Sequence, residues 1–296
     1  MLRPADLMLP ILVLYNCKLA ESTTYNSLVA SSHDGDLDPA AIAVYDNSRY
    51  SQLSTGAADR LLAYKHDPGN GGIAAAYNWA LDLAGSYGCR WLLLFDQDSV
   101  LPPTFLRSTL LQVNRYEENP DVVAIVPVIR SGGRTVSPKR VGFCGLRPLP
   151  ASTSGSQEAE IMAINSGAVV RCDFLRAVGG FNPAYWLDYL DHWLFRQVYA
   201  AGKTVAVSEC ILEHQLSVQN HRYSISATRY ENILDGEAAF ITTYKPKLEL
   251  PCYLIRLLFR SLEMTIRRRP DIALLTAAKM LQITTHPLRS LERRAK

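Results

Sequence analysis

Trp91-Leu92-Leu93-Leu94-Phe95-Asp96-Gln97-Asp98 is the stretch that decides the fold. Five consecutive apolar residues, followed at once by two carboxylates one residue apart, describe a buried strand that delivers charge at its carboxyl end. In open α/β sheets that edge is where ligands bind. Two acids this close repel each other, and the simplest offset is a divalent cation that brings phosphate ligands of its own. Taken alone, the same pair also suits a strand-to-turn segment that caps the next helix.

The flanking sequence repeats the pattern. Toward the amino terminus, Leu9–Leu14 reads as a strand, Glu21–Ala30 as a helix, Ala41–Tyr45 as a second strand and Leu61–Tyr64 as a weaker third, before an alanine-rich helix over Ile73–Ala84. This β-α-β-α order predicts an α/β fold with a mostly parallel central sheet flanked by helices. Beyond Asp98, Pro102-Pro103 opens a helix reaching about Tyr116, and Val122–Ile129 is β-branched and strand-like. Ser131–Ala159 is rich in Gly, Ser and Pro and reads as a loop with the character of a lid. Ile161–Val170 returns to strand, Leu190–Ala200 to helix and Thr204–Val207 to a short strand; beyond Ala227 the pattern is helical almost to the end. The expected organisation is one domain over residues 1–225, with a basic, amphipathic helical extension over 226–296.

Composition narrows the classes of function. The chain has 296 residues, 48% hydrophobic and 20% charged, which describes a globular protein and leaves no room for extensive disorder. A net charge of +3 is too small for nucleic-acid binding by bulk electrostatics. The charge is nonetheless uneven: from Pro251 onward ten Lys or Arg face three acids, a balance of +7, so the preceding 250 residues carry −4. Tyr253-Leu254-Ile255-Arg256-Leu257-Leu258-Phe259-Arg260, followed by Arg267-Arg268-Arg269, suits either a helix resting on an anionic membrane surface or an ordinary basic helix packed on the domain. Cys17, Cys89, Cys144, Cys172, Cys210 and Cys252 are scattered without a C-x-x-C pair, a pattern expected of reduced, mostly buried cytosolic thiols. Arg3 and the apolar run Leu7–Tyr15 have the outline of a signal peptide, but Asp6 interrupts the flank and no small-x-small cleavage site follows, so the run reads as the first strand.

Polar clusters recur at successive strand ends: Tyr15-Asn16, Asp46-Asn47-Ser48 and Asp96-Gln97-Asp98. Convergence of the three at one sheet edge would build a site, although Asp-Asn-Ser is also good turn chemistry in its own right. Asn70-Gly71-Gly72 precedes the helix carrying Asn78, and paired glycines there let backbone N–H groups approach an anion; a plain tight turn is the alternative. Asp188 and Asp191 are three apart and share a face if the helix has begun, while acids at that position also serve as caps. Trp186 and Trp193 beside them offer flat apolar surface suited to a sugar ring, or equally to a core. Glu213-His214-Gln215 and His221 place imidazoles after another short strand.

Taken in order, these segments resemble the inverting family 2 glycosyltransferases of the GT-A (Rossmann-like) fold, and among them the bacterial rhamnosyltransferases of surface-polysaccharide assembly. The resemblance is carried by Val13–Asn16, Val44–Ser48, Asn70–Asn78, Leu94–Ser99, Asn165-Ser166-Gly167, Gly179-Gly180-Phe181 and Leu187–Asp191. It implies a nucleotide-sugar donor held by Tyr15, Asn16, Asp46, Asn70, Gly71, Asn78, Asp96 and Gln97. Asp98 would ligate Mg²⁺ or Mn²⁺ with the donor diphosphate, and His214 would stand where some relatives supply another metal ligand. It makes Asp191 the catalytic base and places Asp188, Trp186 and Trp193 toward the acceptor, a glycan or lipid-linked sugar. Where many relatives carry an acid two residues after the base, this chain has Trp193, implying a different acceptor pocket. The expected setting is cytoplasmic or peripheral on the inner face of the plasma membrane, with rhamnose from a deoxythymidine-diphosphate donor favoured over galactofuranose or an N-acetylhexosamine.

Three other readings compete. A nucleotidyltransferase would need a Gly-rich, basic loop after the first strand, where Tyr15-Asn16-Cys17-Lys18 stands. A glycosidase with paired carboxylates would not need the features at Asp46 and Asn70. A catalytically silent sugar-binding subunit would not need both Asp98 and Asp191.

Overall fold

The computed structural model describes residues 7–32, 41–54, 61–150, 153–214 and 225–285. Its centre is a ten-stranded sheet. Strands β1 (Met8–Leu14), β2 (Ala43–Asp46), β3 (Ala63–His66) and β4 (Trp91–Asp96) are parallel, in spatial order β4-β1-β2-β3. Helix α1 (Thr23–Ser32) connects β1 toward β2, and α2 (Gly72–Tyr87) connects β3 to β4. The chain therefore leaves β1 to one side, for β2 and β3, and returns on its other side as β4. That switch opens a crevice at the carboxyl ends of β1 and β4.

The apolar runs form strands buried on both faces. On β1, Leu9, Ile11 and Val13 join one core cluster while Met8, Leu12 and Leu14 join the other. On β4, Leu92 and Leu94 face the first layer, and Trp91, Leu93 and Phe95 the second. This alternation inside a continuous apolar run is what a parallel strand covered by helices on both sides demands.

After the short β5 (Ser99–Val100) and α3 (Phe105–Tyr116), β6 (Val122–Ser131) extends the sheet beyond β12 (Val169–Arg171), which is antiparallel to both β4 and β6. The loop expected over Ser131–Ala159 is instead largely strand. β7 (Arg134–Ser137) folds back on β6; β8 (Lys139–Gly142), β9 (Gly145–Pro148) and β11 (Ile161–Met162) form a separate three-stranded sheet; β10 (Gly155–Gln157) borders the main one. Glycine at hairpin corners such as Gly132 and Gly133, both at positive φ, gave these ribbons the composition of a loop. The single strand expected over Ile161–Val170 is broken between β11 and β12 by Asn165-Ser166-Gly167, where Gly167 takes φ 76°.

Helices α4 (Cys172–Ala177) and α5 (Leu190–Ala200) lead to β13 (Thr204–His214), far longer than the four residues expected, because a register shift between Val207 and Ile211 lets it continue to pair with β6. Three helices follow: α6 (Ala227–Tyr244), α7 (Leu250–Ile266) and α8 (Pro270–Thr285). They share a core of Tyr230, Leu234, Tyr253, Leu257, Met264 and Ile272, and Phe240 of α6 reaches into the main core.

Cys144 and Cys252 form a disulfide between the β8–β9 turn and α7, which corrects the reading of all six cysteines as reduced thiols. Spacing across 108 residues gave no hint of the pair. Cys89 and Cys172 are buried thiols, and Cys17 and Cys210 are partly exposed. No described helix is long and apolar enough to cross a membrane.

Candidate active site

A cleft of about 1240 Å³ opens at the switch point. The ends of all three polar strands reach it: Tyr15 after β1, Asn47 after β2, and Asp96, Gln97 and Asp98 after β4. Asn70 and Gly72 from the start of α2, Trp186, Asp188 and Asp191 from the segment entering α5, and Ser226, Arg229 and Asn232 at the start of α6 complete its walls.

Two hydroxyls from a distant part of the chain hold the Asp96–Asp98 turn. Thr24 Oγ1 donates to the Asp96 carbonyl and accepts the Ser99 N–H at 2.9 Å, while Ser22 Oγ donates to the Gln97 carbonyl at 2.8 Å. The Gln97 amide in turn closes on the Tyr15 backbone, accepting its N–H at 2.8 Å and donating to its carbonyl at 3.3 Å. Gln97 therefore joins the ends of β1 and β4 and shapes one wall of the cleft.

Asp96 is the carboxyl under most stress. Burial, then the neighbouring charge of Asp98 and that of Asp191 across the cleft, raise its pKa to about 7. Asp96, Asp98 and Asp191 all line this cleft, so the chain gathers three acids from two walls. Their hard oxygen donors suit Mg²⁺ or Mn²⁺. Among the described residues no group of three or more His, Cys, Asp or Glu side chains is arranged to hold a metal by itself, so an ion here would need ligands from a bound molecule. The backbone of His214 pairs with Ser99, next to Asp98, but its side chain, like His221, lies outside the described residues.

Asp191 stands in the first turn of α5, and its Oδ1 accepts the His192 N–H at 2.8 Å. Tyr189, immediately before the helix, takes φ 65°, a conformation costly for a bulky residue and typical of sites where the fold over-determines the backbone. Its ring stacks on His192 with centroids 4.5 Å apart. Asp188 is gripped by Arg229 of α6 through contacts of 2.6 and 2.8 Å. Burial raises the Asp188 pKa to about 6, with Arg229 opposing and Asp191 adding to the rise.

The glycines before α2 serve packing more than ligand approach. Gly72 has φ 78°, and a Cβ there would lie 2.1 Å from the Trp186 carbonyl oxygen. Its N–H reaches Asn47 Oδ1 at 3.2 Å. Gly71 donates to Asp67 Oδ2 at 2.8 Å, within a turn that Asp67 also anchors through Gly69 and Tyr45.

The structure gives several of the expected ligand residues a task within the fold. Asp46 is fully buried and spent on its own loop, accepting the Ser48 and Gln52 N–H groups and the Tyr64 hydroxyl at 2.6–2.9 Å; Asn47, its neighbour, is the residue at the cleft. Asn78 exchanges two hydrogen bonds with the Phe181 backbone, at 2.7 and 2.8 Å, and so ties α2 to the Gly179-Gly180-Phe181 turn. Asn16 holds the β1 loop by donating its N–H to Ser48 Oγ at 2.8 Å. Trp193 is buried in the main core, away from the cleft, because α5 turns it inward with Leu194 and Val198. Arg229, Lys139 and Asn165 line the cleft without having been singled out for it. Asn165, whose buried Oδ1 has no hydrogen-bond partner among the described residues, was at least visible in an Asn-Ser-Gly break between strands. Arg229 sits in a helix whose sequence has no distinguishing motif.

A family model described as "Glycosyl transferase family 2" matches residues 11–177, more than half of the chain. The chain belongs to that family and is a glycosyltransferase. Among solved structures it is similar to S. aureus TarS 1-349 in complex with UDP-GlcNAc, at 14% identity and a TM-score of 0.53, covering 93% of this chain and 81% of that one. It is also similar to a second structure of S. aureus TarS 1-349, at 13% identity, TM-score 0.48 and 94% and 91% coverage, and to a longer TarS chain at 15%, 0.48, 97% and 55%. At such identities the likeness bears on the fold. No curated protein matches the chain significantly.

Proposed function

We propose that this chain transfers a sugar from a nucleoside-diphosphate donor to a hydroxyl of a glycan or lipid-linked acceptor, with inversion at the anomeric carbon, in the assembly of a cell-surface polysaccharide. The observation that carries the reading is the meeting of Asp96 and Asp98, at the end of β4, with Asp191, at the start of α5, in a single cleft. Tyr15, Asn47, Asn70 and Gln97 lie on the donor wall; Trp186 and Asp188 lie beside the base, toward the acceptor.

An acceptor hydroxyl ionises far above neutrality, so its attack needs a base that takes the proton as the new bond forms. Asp191 is assigned that task, worth about 10²–10⁴-fold in rate. Among the described residues its Oδ2 has no hydrogen-bond partner, which leaves one oxygen for the incoming hydroxyl. The oxygen attacks the anomeric carbon as the bond to the diphosphate breaks, and the bonding pair leaves with the nucleoside diphosphate. Asp98, with Asp96 beside it, would hold Mg²⁺ or Mn²⁺, and the ion would offset the charge that builds on the leaving group. Arg229 and Lys139 add cationic character to the same cleft.

Rhamnose from a deoxythymidine-diphosphate donor is the proposed sugar, on the resemblance of the motifs. An N-acetylhexosamine is the second reading, favoured by the UDP-GlcNAc complex of TarS. The proposed setting is the cytoplasmic face of a membrane. A thermal-shift panel of nucleotide sugars, each with and without Mn²⁺ or Mg²⁺, tests all of this, because a ligand of the folded state raises the melting temperature. One deoxythymidine- or uridine-diphosphate sugar giving a metal-dependent rise names the donor. A rise undiminished by EDTA rejects the metal, and no rise with any donor, even with acceptor present, overturns the proposed donor binding.

A further inference from the structure

Helix α7 is apolar on two opposite faces. One face, through Tyr253, Leu257 and Met264, packs into the carboxyl-terminal core, with Arg260 between them bonded to Glu237 of α6 at 2.7 and 3.1 Å. The other carries Ile255, Leu258, Phe259, Leu262 and Ile266 and is exposed, Phe259 to 67% and Ile266 to 82%. The spacing of this outer set, with steps of three and four residues, makes one continuous stripe. Leu274 and Leu281 on the adjoining α8 are also exposed, to 71% and 64%. Scattered exposed leucines are ordinary on a protein surface, but a contiguous stripe marks a face that meets something.

The charges around it select the partner. Arg256 borders the stripe and Arg267-Arg268-Arg269 closes its carboxyl end; Glu263 and Asp271 neutralise Arg267 and Arg269, so the cationic surplus at the stripe is carried by Arg256 and Arg268. We propose that the outer face of α7, with α8 beside it, docks on an anionic lipid surface, its apolar side chains entering the headgroup boundary and its arginines pairing with lipid phosphates. An amphipathic helix with one buried side and a lipid-facing side lies in the membrane plane and does not span it. The attraction combines apolar burial with a term that salt screens. This inference stands apart from the choice of donor sugar, since it concerns a face remote in sequence from the catalytic carboxylates.

The test is sedimentation of the full chain with sucrose-loaded vesicles, either of phosphatidylcholine alone or with phosphatidylglycerol added, at low and high salt. The wild type is expected to pellet with the phosphatidylglycerol vesicles, and less so at high salt. The double variant Phe259→Glu/Leu262→Glu, whose positions are exposed and outside the core, is expected to lose at least tenfold in vesicle affinity while keeping its melting temperature and its donor binding. Absence of wild-type binding to anionic vesicles overturns the proposal. So does a dimer in light scattering that the double variant dissociates, which would give the face to a second copy of the chain.

Discussion

Replacing Asp188 by Asn should stabilise this protein at neutral pH, even though Asp188 is ion-paired. The carboxyl is largely buried, and its pKa lies at about 6 against an ordinary value of 3.8, because burial and the charge of Asp191 outweigh the pairing with Arg229. A group that is harder to ionise in the folded state binds protons there that the unfolded chain has lost. Stability therefore falls as pH rises from about 4 to about 6 and stays lower above that range. The difference between the two pKa values corresponds to about 3 kcal/mol, an order-of-magnitude figure. The amide introduced by Asp188→Asn would keep the shape and a bond to Arg229 without the charge. Urea unfolding of wild type and Asp188→Asn at pH 4, 5, 6, 7 and 8 reads the difference directly. The two should be close at pH 4, and the variant should gain on the wild type by up to about 3 kcal/mol by pH 7. Arg229→Met should do the reverse at pH 7, costing about 1–3 kcal/mol because it strands the carboxylate, with the cost shrinking toward pH 4. A wild type that gains on Asp188→Asn as pH rises would refute the reasoning, since the ion pair would then outweigh its own desolvation.

Asp191→Asn should lower the transfer rate by about 10²–10⁴-fold while leaving nucleotide affinity unchanged by calorimetry; lost binding would move Asp191 from the base role to the donor site. Gly72→Ala should be strongly destabilising, because a Cβ 2.1 Å from the Trp186 carbonyl oxygen forces α2 and the Trp186 segment apart. The melting temperature and donor binding should fall together, and a well-folded variant would contradict the packing. Trp193→Ala should cost about 3–5 kcal/mol in urea unfolding, as an emptied core site does; a stable variant with only a raised acceptor KM would restore it to the acceptor pocket.

What the sequence revealed follows from how local each signal was. β1 and β4 were legible because burial on both faces leaves a run of five or more apolar residues, and the acids after them were legible because charge there has few structural excuses. Asp191 entered through motif order in the resemblance, and the structure places it in the same cleft as Asp96. The ribbons between Ser131 and Ala159 were missed because glycine-rich hairpins and loops share a composition, and only pairing partners separate them. The structural bonds of Asp46 and Asn78 were missed for a different reason. A polar residue at a strand end or on a helix facing a turn can serve a ligand or the backbone, and the bonds of Asp46 to Gln52 and of Asn78 to Phe181 are contacts no spacing announces. The same holds for the disulfide and for Arg229, whose partners lie 108 and 41 residues away.

The two walls of the cleft have different origins in the chain. The family match ends at residue 177, so it covers the strands that present Tyr15, Asn47, Asp96 and Asp98 but not the segment that presents Asp191. That segment is braced from farther along still. Arg229 grips Asp188, Gly236 lies against the Asp188 and Tyr189 backbone and ring at ordinary contact distance, and Phe240 packs against the Tyr189 ring at 6.0 Å. All three belong to α6, a helix that also shares a core with α7. The strained φ of Tyr189 is held by the same contacts. Helix α6 therefore braces the segment that presents Asp191, whereas the exposed side chains on the outer face of α7 lie opposite the side on which Arg260 bonds Glu237 of α6.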